Sequence, residues 1–122
     1  MPRMQENNAH ERRIEMQIIV DAYNAEERAM GWYCYLEEAL KFPFNARCKS
    51  KREISPLRVG DEVEVAGLAP EEECASEMFV RVRWRGGKVA VPLSQLEPVA
   101  ARPKTVEAVA DWHYWVGRGY EF

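Results

Sequence analysis

Apolar and polar residues alternate with a period of two along three short runs in the second half of the chain, at 61–65, 80–85 and 89–91. This period is typical of strands that bury one face. The adjacent Gly86 and Gly87 supply the positive φ angles that a tight hairpin between the last two runs requires. With a long connection before that hairpin and a turn before a last short strand, the pattern predicts a small SH3-like β-barrel over residues 57–99.

Helical periodicity predicts an N-terminal pair of helices within residues 8–41. Asn8 and the glutamate three residues later have the spacing of a capping box, which places the first helix at about residues 9–22. Asn24 repeats this signal and begins the second helix. That helix stops near Lys41, because the residue before a proline avoids the helical conformation.

The second predicted helix carries one apolar stripe and an internal glycine. The stripe consists of Ala29, Tyr33, Leu36 and Leu40, with Trp32 at its border. Gly31 costs about 1 kcal/mol relative to alanine inside a helix. We therefore expect another backbone segment to pass close to this glycine.

Residues 104–117 are predicted to form a closing helix, because apolar residues recur at helical spacing between Thr105, the predicted N-cap, and Gly117. Residues 1–7 are polar and are predicted to form a frayed tail. The expected fold class is α+β, with a helical pair, a small barrel and a C-terminal helix. A length of 122 residues predicts a single domain.

The charge balance narrows the range of partners. Lysine and arginine number 17, aspartate and glutamate 20, and the net charge is -3, which disfavours non-specific binding to nucleic acid. No apolar run approaches the roughly 18 residues of a membrane span, and the polar N-terminus lacks the apolar segment of a signal peptide. Cys34, Cys48 and Cys74 form no CxxC pair, which predicts reduced thiols in a cytoplasmic protein.

An acidic segment in the connection at 67–77 is the first candidate for a binding site. Glu71, Glu72 and Glu73 are consecutive, and Glu77 follows four residues later. Calcium takes about six to eight oxygen ligands from carboxylates, carbonyls and water, and adjacent carboxylates repel one another unless a cation neutralises them. A solvated loop without a ligand is the alternative. The sequence contains no EF-hand pattern.

Charged side chains are also expected on the outward faces of the predicted strands. Glu62 and Glu64 lie on one strand, and Arg81, Arg83 and Arg85 lie on another. If these strands are neighbours, opposite charges across them contribute roughly 0.2–1 kcal/mol per pair. The arginine row could otherwise bind a phosphate or a nucleic-acid backbone.

No grouping of residues predicts catalysis. The sequence shows no Ser-His-Asp pattern, glycine-rich phosphate loop or HExxH motif, so we expect that the protein is not an enzyme. His10, His113 and the cysteines lack the spacing of zinc ligands. His113 lies in an aromatic cluster, where a place in the core or in a subunit interface is favoured over a general base. The aromatic residues around Trp32 are expected to pack in the core rather than stack on bases.

Five blocks of sequence, in collinear order, cover most of the chain from about residue 12 to its end. They are ERAMGWYCYLEEALKFPFNARC at 27–48, SPLRVGDEVEVAGLAPEEEC at 55–74, MFVRVRW at 78–84, VAVPLSQLEP at 89–98 and DWHYWVGRGY at 111–120. These blocks resemble the CcbP family of small, cyanobacterial-type calcium-binding proteins. The resemblance implies a compact domain that binds Ca²⁺ through surface carboxylates without an EF-hand.

The resemblance also implies where calcium ligands lie. The end of the second helix, before the FPF motif, is acidic in the family and here reads Glu37 and Glu38. The predicted metal ligands are Glu38, Asp61, Glu71, Glu72, Glu73 and Glu77. They predict one Ca²⁺ site in a buffer or sensor, in which the ion relieves the repulsion between crowded charges. The alternative is an SH3-like interaction module that binds a protein or nucleic-acid partner through the arginine row and exposed aromatic residues.

Overall fold

The computed structural model describes residues 7–122. Within this range the chain forms three α-helices and one five-stranded antiparallel sheet. The helices are α1 (Asn8–Arg13), α2 (Ala25–Ala39) and α3 (Pro103–Gly117). The strands are β1 (Phe44–Cys48), β2 (Glu62–Leu68), β3 (Phe79–Trp84), β4 (Gly87–Pro92) and β5 (Leu96–Val99). The α+β class is therefore confirmed. The tail predicted at residues 1–7 lies outside the described residues except for Asn7.

The sheet has the strand order β4-β3-β2-β1-β5. β1 pairs with β2 on one side and with β5 on the other, and the β3–β4 hairpin extends the sheet beyond β2. Within the described residues β4 and β5 are the two edges and the sheet stays open, so the SH3-like barrel is not confirmed. β1 also lies outside the range 57–99 that was predicted for the barrel. The pairing of strands depends on residues far apart in sequence, which local patterns do not reveal.

The β3–β4 hairpin turns at Arg85 and Gly86 rather than at the two adjacent glycines. Trp84 lies opposite Gly87 in the strand register, which leaves a two-residue loop. Arg85 has φ 47° and Gly86 has φ 82°, and two successive positive φ angles are those of a type I′ turn. The pairing register of β3 and β4 determines the position of the turn. A shift by one residue would move the β4 valines to the opposite face of the sheet.

α1 is shorter than predicted, and its cap is Asn7 rather than Asn8. The Asn7 side chain accepts hydrogen bonds from the N–H groups of Ala9 (3.0 Å) and His10 (3.2 Å). The backbone continues as one π-helical turn, Ile14–Ile18. Asp21 then has φ 61° in the turn toward α2, so the predicted helix to residue 22 is wrong at its C-terminal end.

α2 begins at its predicted cap, since the Asn24 side chain accepts a hydrogen bond from the Glu27 N–H at 2.9 Å. It ends at Ala39, and Leu40 is already extended. The expected close approach at Gly31 is confirmed. A Cβ atom at Gly31 would overlap the carbonyl oxygen of Ile18, so α2 and the preceding turn pack more closely than any larger residue would allow.

The buried stripe of α2 differs from the predicted one. Trp32, Leu36 and Ala39 are buried, whereas Tyr33 is only half-buried. Trp32 and Leu36 are four residues apart, so they lie on one face of the helix and can be buried together. Burying the large indole of Trp32 removes more apolar area from water than burying the phenol of Tyr33. The helix is rotated accordingly, which turns Tyr33 toward the loop that follows β2.

Aromatic residues of α2 and α3 pack together in the core. The Trp32 ring is fully buried, and its centroid lies 5.0 Å from that of Trp112 and 5.7 Å from that of Trp115. The expectation that Trp32 packs in the core is therefore confirmed. α3 begins at Pro103, and Thr105 lies inside the helix, where its hydroxyl accepts a hydrogen bond from the Lys41 N–H at 3.0 Å. The prediction that Thr105 is the N-cap is wrong.

A buried carboxylate joins the three helices. Asp111 of α3 is fully buried. Its Oδ1 lies 2.6 Å from His10 Nδ1, and its Oδ2 accepts hydrogen bonds from Arg13 Nε and from the Tyr35 hydroxyl, both at 2.7 Å. Burial, and then the hydrogen bond to Asp111, raise the pKa of Tyr35, so the phenol stays protonated and donates. These contacts hold α1 and α2 against α3.

Candidate functional site

The acidic segment is folded against α2. After β2 the chain forms a 3₁₀ turn, Glu71–Cys74, whose three glutamates are exposed. The Tyr33 hydroxyl donates a hydrogen bond to the Ala69 carbonyl oxygen at 2.8 Å. Cys74 is buried at the end of the turn. The backbone of the loop is therefore held at both ends while its carboxylates stay at the surface.

α2 and the 3₁₀ turn enclose a groove of about 440 Å³. Its polar lining consists of Glu26, Tyr33, Glu71 and Glu72, and its apolar lining includes Met30 and Cys74. Among residues 7–122, none that lines this groove is a lysine or an arginine. We name it the acidic groove.

Charge in the acidic groove is visible in its effect on Tyr33. Burial raises the pKa of the Tyr33 hydroxyl, and nearby ionisable groups raise it further. These groups are Cys74, Glu37, Glu71 and Glu72. Burial likewise raises the pKa of the Cys74 thiol. Tyr33 and Cys74 therefore stay neutral at neutral pH, and the charge of the groove is that of its glutamates.

Two other predicted ligands of the loop are paired with arginines. Arg52 donates to both carboxylate oxygens of Glu77, at 2.7 and 3.2 Å, and Arg81 lies 3.7 Å from Glu73. A bidentate pair fixes a carboxylate and offsets its charge. Among residues 7–122, by contrast, Glu71 and Glu72 have no ion-pair partner.

The remaining two predicted ligands lie elsewhere on the surface. Asp61 closes its own turn, where its Oδ2 accepts a hydrogen bond from the Arg58 N–H at 2.9 Å. Glu38 lines a separate groove of about 380 Å³ together with Lys41 and Lys104. The described part of the chain thus does not gather all six predicted carboxylates at one place, and their role as ligands stays a prediction.

The predicted ligand set left out two glutamates of α2 that belong to the acidic surface, Glu26 and Glu37. They lie seven residues before and four residues after Tyr33, and these spacings place all three on one helix face. The signal was hidden because Tyr33 was assigned to the buried stripe. With Trp32 and Leu36 in the core, the same spacing indicates an acidic face.

The carboxylates are not already arranged around a metal position. Within residues 7–122, no group of three or more His, Cys, Asp or Glu side chains is placed to hold a metal ion. The donor chemistry nevertheless fits calcium, which binds carboxylate and carbonyl oxygens at roughly 2.3–2.6 Å in flexible geometry. Binding at the acidic groove therefore requires glutamate side chains to converge on the ion.

The sequence also matches a family model. The model Calci_bind_CcbP, described as calcium binding, matches residues 12–116. The chain belongs to the CcbP family. It is 43% identical to the protein in "The crystal structure of Anabaena CcbP", with a TM-score of 0.87 and 100% of both chains covered. It is 44% identical to the protein in "Calcium binding protein in the calcium-binding form", with a TM-score of 0.84 and 96% of both chains covered.

The CcbP resemblance of the five sequence blocks is thereby confirmed, and the α+β fold is shared along the chain. The family is described by calcium binding rather than by a reaction. No curated protein gave a match. In residues 7–122, none of the helices combines the length and the apolar character needed to cross a bilayer.

Other candidate groups of this CcbP-family chain hold the fold together. His113 Nε2 lies 2.6 Å from the Leu96 carbonyl oxygen, to which only a protonated nitrogen can donate. Burial, reinforced by the charge of Lys49, lowers the pKa of His113 to about 4. The imidazole is therefore neutral and joins α3 to β5.

The outward charges of the sheet are largely neutralised across strands. Arg83 forms an ion pair with Glu64, so the predicted cross-strand pairing is confirmed for that glutamate. Glu62 pairs instead with Arg47 at 3.3 Å, because β1 rather than β3 lies opposite its end of β2. The prediction that Glu62 faces the arginine row is wrong.

Proposed function

We propose that this chain binds Ca²⁺ reversibly at the acidic groove, with Glu71 and Glu72 as the principal ligands. Glu26 of α2 lines the same groove, and Glu37 of α2 adds negative charge near Tyr33. The observation that carries the proposal is the contrast within the loop. Glu73 and Glu77 have arginine partners, whereas Glu71 and Glu72 line a groove with another glutamate and, in the described part of the chain, with no basic residue. Family membership supports calcium as the ion.

The driving force is relief of a repulsion that folding imposes. Like charges a few ångströms apart near a protein surface repel by up to a few kcal/mol. The hydrogen bond from Tyr33 to Ala69 holds α2 against the loop, so the backbone segments that carry the glutamates on the two sides stay next to each other. A divalent cation between them replaces repulsion with attraction.

The movement that binding requires is confined to side chains. Glu71 and Glu72 are exposed, so their side chains can rotate without disturbing the core. Calcium accepts variable coordination, completed by backbone carbonyls and water. Because the carboxylates are not preorganised, we expect a dissociation constant in the range of about 10⁻⁵–10⁻³ M, which suits a reversible buffer.

Charge-neutralising variants test the proposal by calorimetric titration of Ca²⁺ at constant ionic strength. E71Q/E72Q should weaken calcium binding by at least about tenfold, because it removes both principal ligands. E73Q/E77Q is the matched control, since it removes two glutamates of the same loop that already have partners. It should change the affinity by less than about threefold. E38Q/D61N tests the wider ligand set predicted from the sequence and should also have little effect.

A second readout is the stability of the folded state. Calcium at 100 times its dissociation constant should add about 2.7 kcal/mol to the free energy of unfolding, and E71Q/E72Q should abolish this gain. Equal losses in E71Q/E72Q and E73Q/E77Q would contradict the ligand assignment. A wild-type protein that neither releases heat nor gains stability with millimolar calcium would contradict the function.

The interaction module based on the arginine row has little to support it. Arg81 and Arg83 are each paired with a glutamate. The Arg85 guanidinium lies 5.5 Å from the centroid of the Trp84 ring, which is a cation–π distance. Because glutamates offset two of its three charges, the row offers a weak field to phosphate.

A further inference from the structure

A second groove lies on the other side of α2, between that helix and the turn that precedes it. Its volume is about 420 Å³. The apolar part of its lining includes Ile18, Val20, Ala22 and Met30, with Gly31 beside them. We name it the apolar groove. The close approach of Gly31 to the Ile18 carbonyl fixes the turn against α2, so the groove is formed before any ligand arrives.

Large apolar side chains are exposed around the apolar groove. Val20 is 53% exposed and Met30 is 45% exposed. Met16 and Tyr23, on the same helical hairpin, are also exposed. Val20 and Met30 both line the apolar groove, and exposed apolar side chains grouped in this way are typical of a binding surface. Methionine is suited to it, because its unbranched side chain adapts to different partners.

The charge around the apolar groove has one sign. The charged residues that line it within the described range are Asp21, Glu26 and Glu27, all of them acidic. Glu27 Oε1 also accepts a hydrogen bond from the Tyr23 N–H at 3.3 Å, which holds this carboxylate at the rim. An apolar floor with an acidic rim complements a segment that is apolar on one face and positively charged on the other. Anionic membrane surfaces would be repelled.

We propose that the apolar groove docks a basic amphipathic helix of a partner protein. The apolar side chains of that helix would contact Val20 and Met30, and its lysines or arginines would lie near the three rim carboxylates. Helix-in-groove recognition of this kind uses apolar residues at i, i+3, i+4 and i+7, and a groove of this volume holds two or three such side chains.

Calcium and the docked helix are expected to oppose each other, an expectation that rests on the calcium site proposed for the acidic groove. Glu26 and Met30 line both grooves, so they form the ridge between them. A Ca²⁺ ion near Glu26 removes negative charge from the rim that attracts the basic helix. By linkage, the helix must then weaken calcium binding by the same factor.

The docking test uses a synthetic 18-residue helical peptide with leucine on one face and lysine on the other, titrated into the calcium-free protein in chelator. We expect saturable binding at one peptide per chain. V20Q/M30Q should weaken it by at least about tenfold, because it removes the apolar contacts at the centre of the groove. I54Q/V106Q is a matched control, since Ile54 is 59% and Val106 45% exposed at other places. It should change the affinity by less than about threefold.

The charge of the partner is tested with two further peptides of the same length. A leucine–glutamate helix should not bind, and a leucine–lysine peptide of scrambled order should bind at least about tenfold more weakly. D21N should weaken the leucine–lysine helix and reduce the salt dependence of its binding. Equal affinities for V20Q/M30Q and I54Q/V106Q would overturn the docking site. Sedimentation that shows a dimer of the wild-type protein, and its dissociation in V20Q/M30Q, would also overturn the proposal. The occupant of the groove would then be a second copy of the chain.

The coupling test repeats the titration with calcium and, at equal ionic strength, with magnesium. Calcium should lower the affinity for the leucine–lysine helix more than magnesium does, and E71Q/E72Q should remove the difference. If calcium has no effect while V20Q/M30Q still weakens the peptide, docking stands and the proposed opposition is contradicted. The calorimetric titration of Ca²⁺ alone then decides whether the calcium site is contradicted too. If calcium binds normally but the peptide does not bind, docking alone is contradicted. A gain in peptide affinity with calcium would overturn the proposed opposition.

Discussion

Two regions of this molecule use carboxylates in opposite ways. Asp111 is fully buried and is within hydrogen-bond distance of His10, Arg13 and Tyr35. Glu71 and Glu72 are exposed, and within residues 7–122 they have no ion-pair partner. The first region joins three helices, and the second lines a groove.

The difference shows which carboxylates of this chain can gain free energy by binding a ligand. A buried carboxylate with complete hydrogen bonding is costly to disturb, because removal of its charge leaves the partners unsatisfied. Exposed carboxylates that repel one another contribute little to the stability of the fold, and a bound cation lowers their electrostatic free energy. Side chains that the fold leaves without partners are therefore the ones available to a ligand.

The largest effect is expected where the buried carboxylate is replaced. D111N should lower the free energy of unfolding by about 3–5 kcal/mol, because Arg13 loses its buried counter-charge. Urea denaturation checks this. E107Q is the matched control on the same helix, since Glu107 is 42% exposed and lies 3.7 Å from the same arginine. It should cost less than about 1 kcal/mol. Similar losses in both variants would remove the distinction between the two regions.

The next effect concerns His113, which is half-buried and uncharged. Its folded pKa of about 4 lies below the ordinary value near 6.5, so the unfolded chain binds more protons between these pH values. The resulting stability, about 3 kcal/mol, is fully present above pH 6.5 and is lost as the pH falls to about 4. Stability curves of H113Q should lack this contribution and fall less steeply over that range. Parallel curves for both proteins would contradict the assignment.

The smallest effect is expected in the acidic loop without calcium. E71Q/E72Q should raise the free energy of unfolding slightly, by up to about 0.5 kcal/mol, because two repelling charges are removed. E73Q/E77Q should lower it by up to about 1 kcal/mol, because Arg52 and Arg81 lose their partners. The two variants should therefore change the free energy of unfolding, measured by urea denaturation in chelator, in opposite directions. That result would support the distinction between paired and unpaired carboxylates. A loss in E71Q/E72Q would show that these side chains have partners of their own.

Local signals predicted much of the fold. The alternation around 80–85 and 89–91 found β3 and β4, and the capping residue Asn24 found the start of α2. Strand partners were harder, because they depend on residues far apart in sequence. β1 lies outside the range predicted for the barrel, and only the register showed that it lies between β2 and β5.

The candidate site was predicted in part. The run of glutamates at Glu71 and Glu72 was recognisable from sequence, and the structure leaves it unpaired. The ion pairs of Glu73 and Glu77 were not predictable. Arg52 and Arg81 come close to these glutamates only in the folded chain. Glu26 and Glu37 were missed because the rotation of α2 depends on the burial of Trp32.

The sequence by itself determined the α+β class, the main helices and strands, the family and the presence of a carboxylate-rich loop. All of these depend on local periodicity, capping or collinear motifs. Only the tertiary structure decided that the sheet stays open, which side of α2 faces the loop, and which glutamates keep their charge free of arginine. The physical reason is that burial and ion pairing are properties of neighbours in space, and the largest gain in burial, that of Trp32, sets which side chains become neighbours.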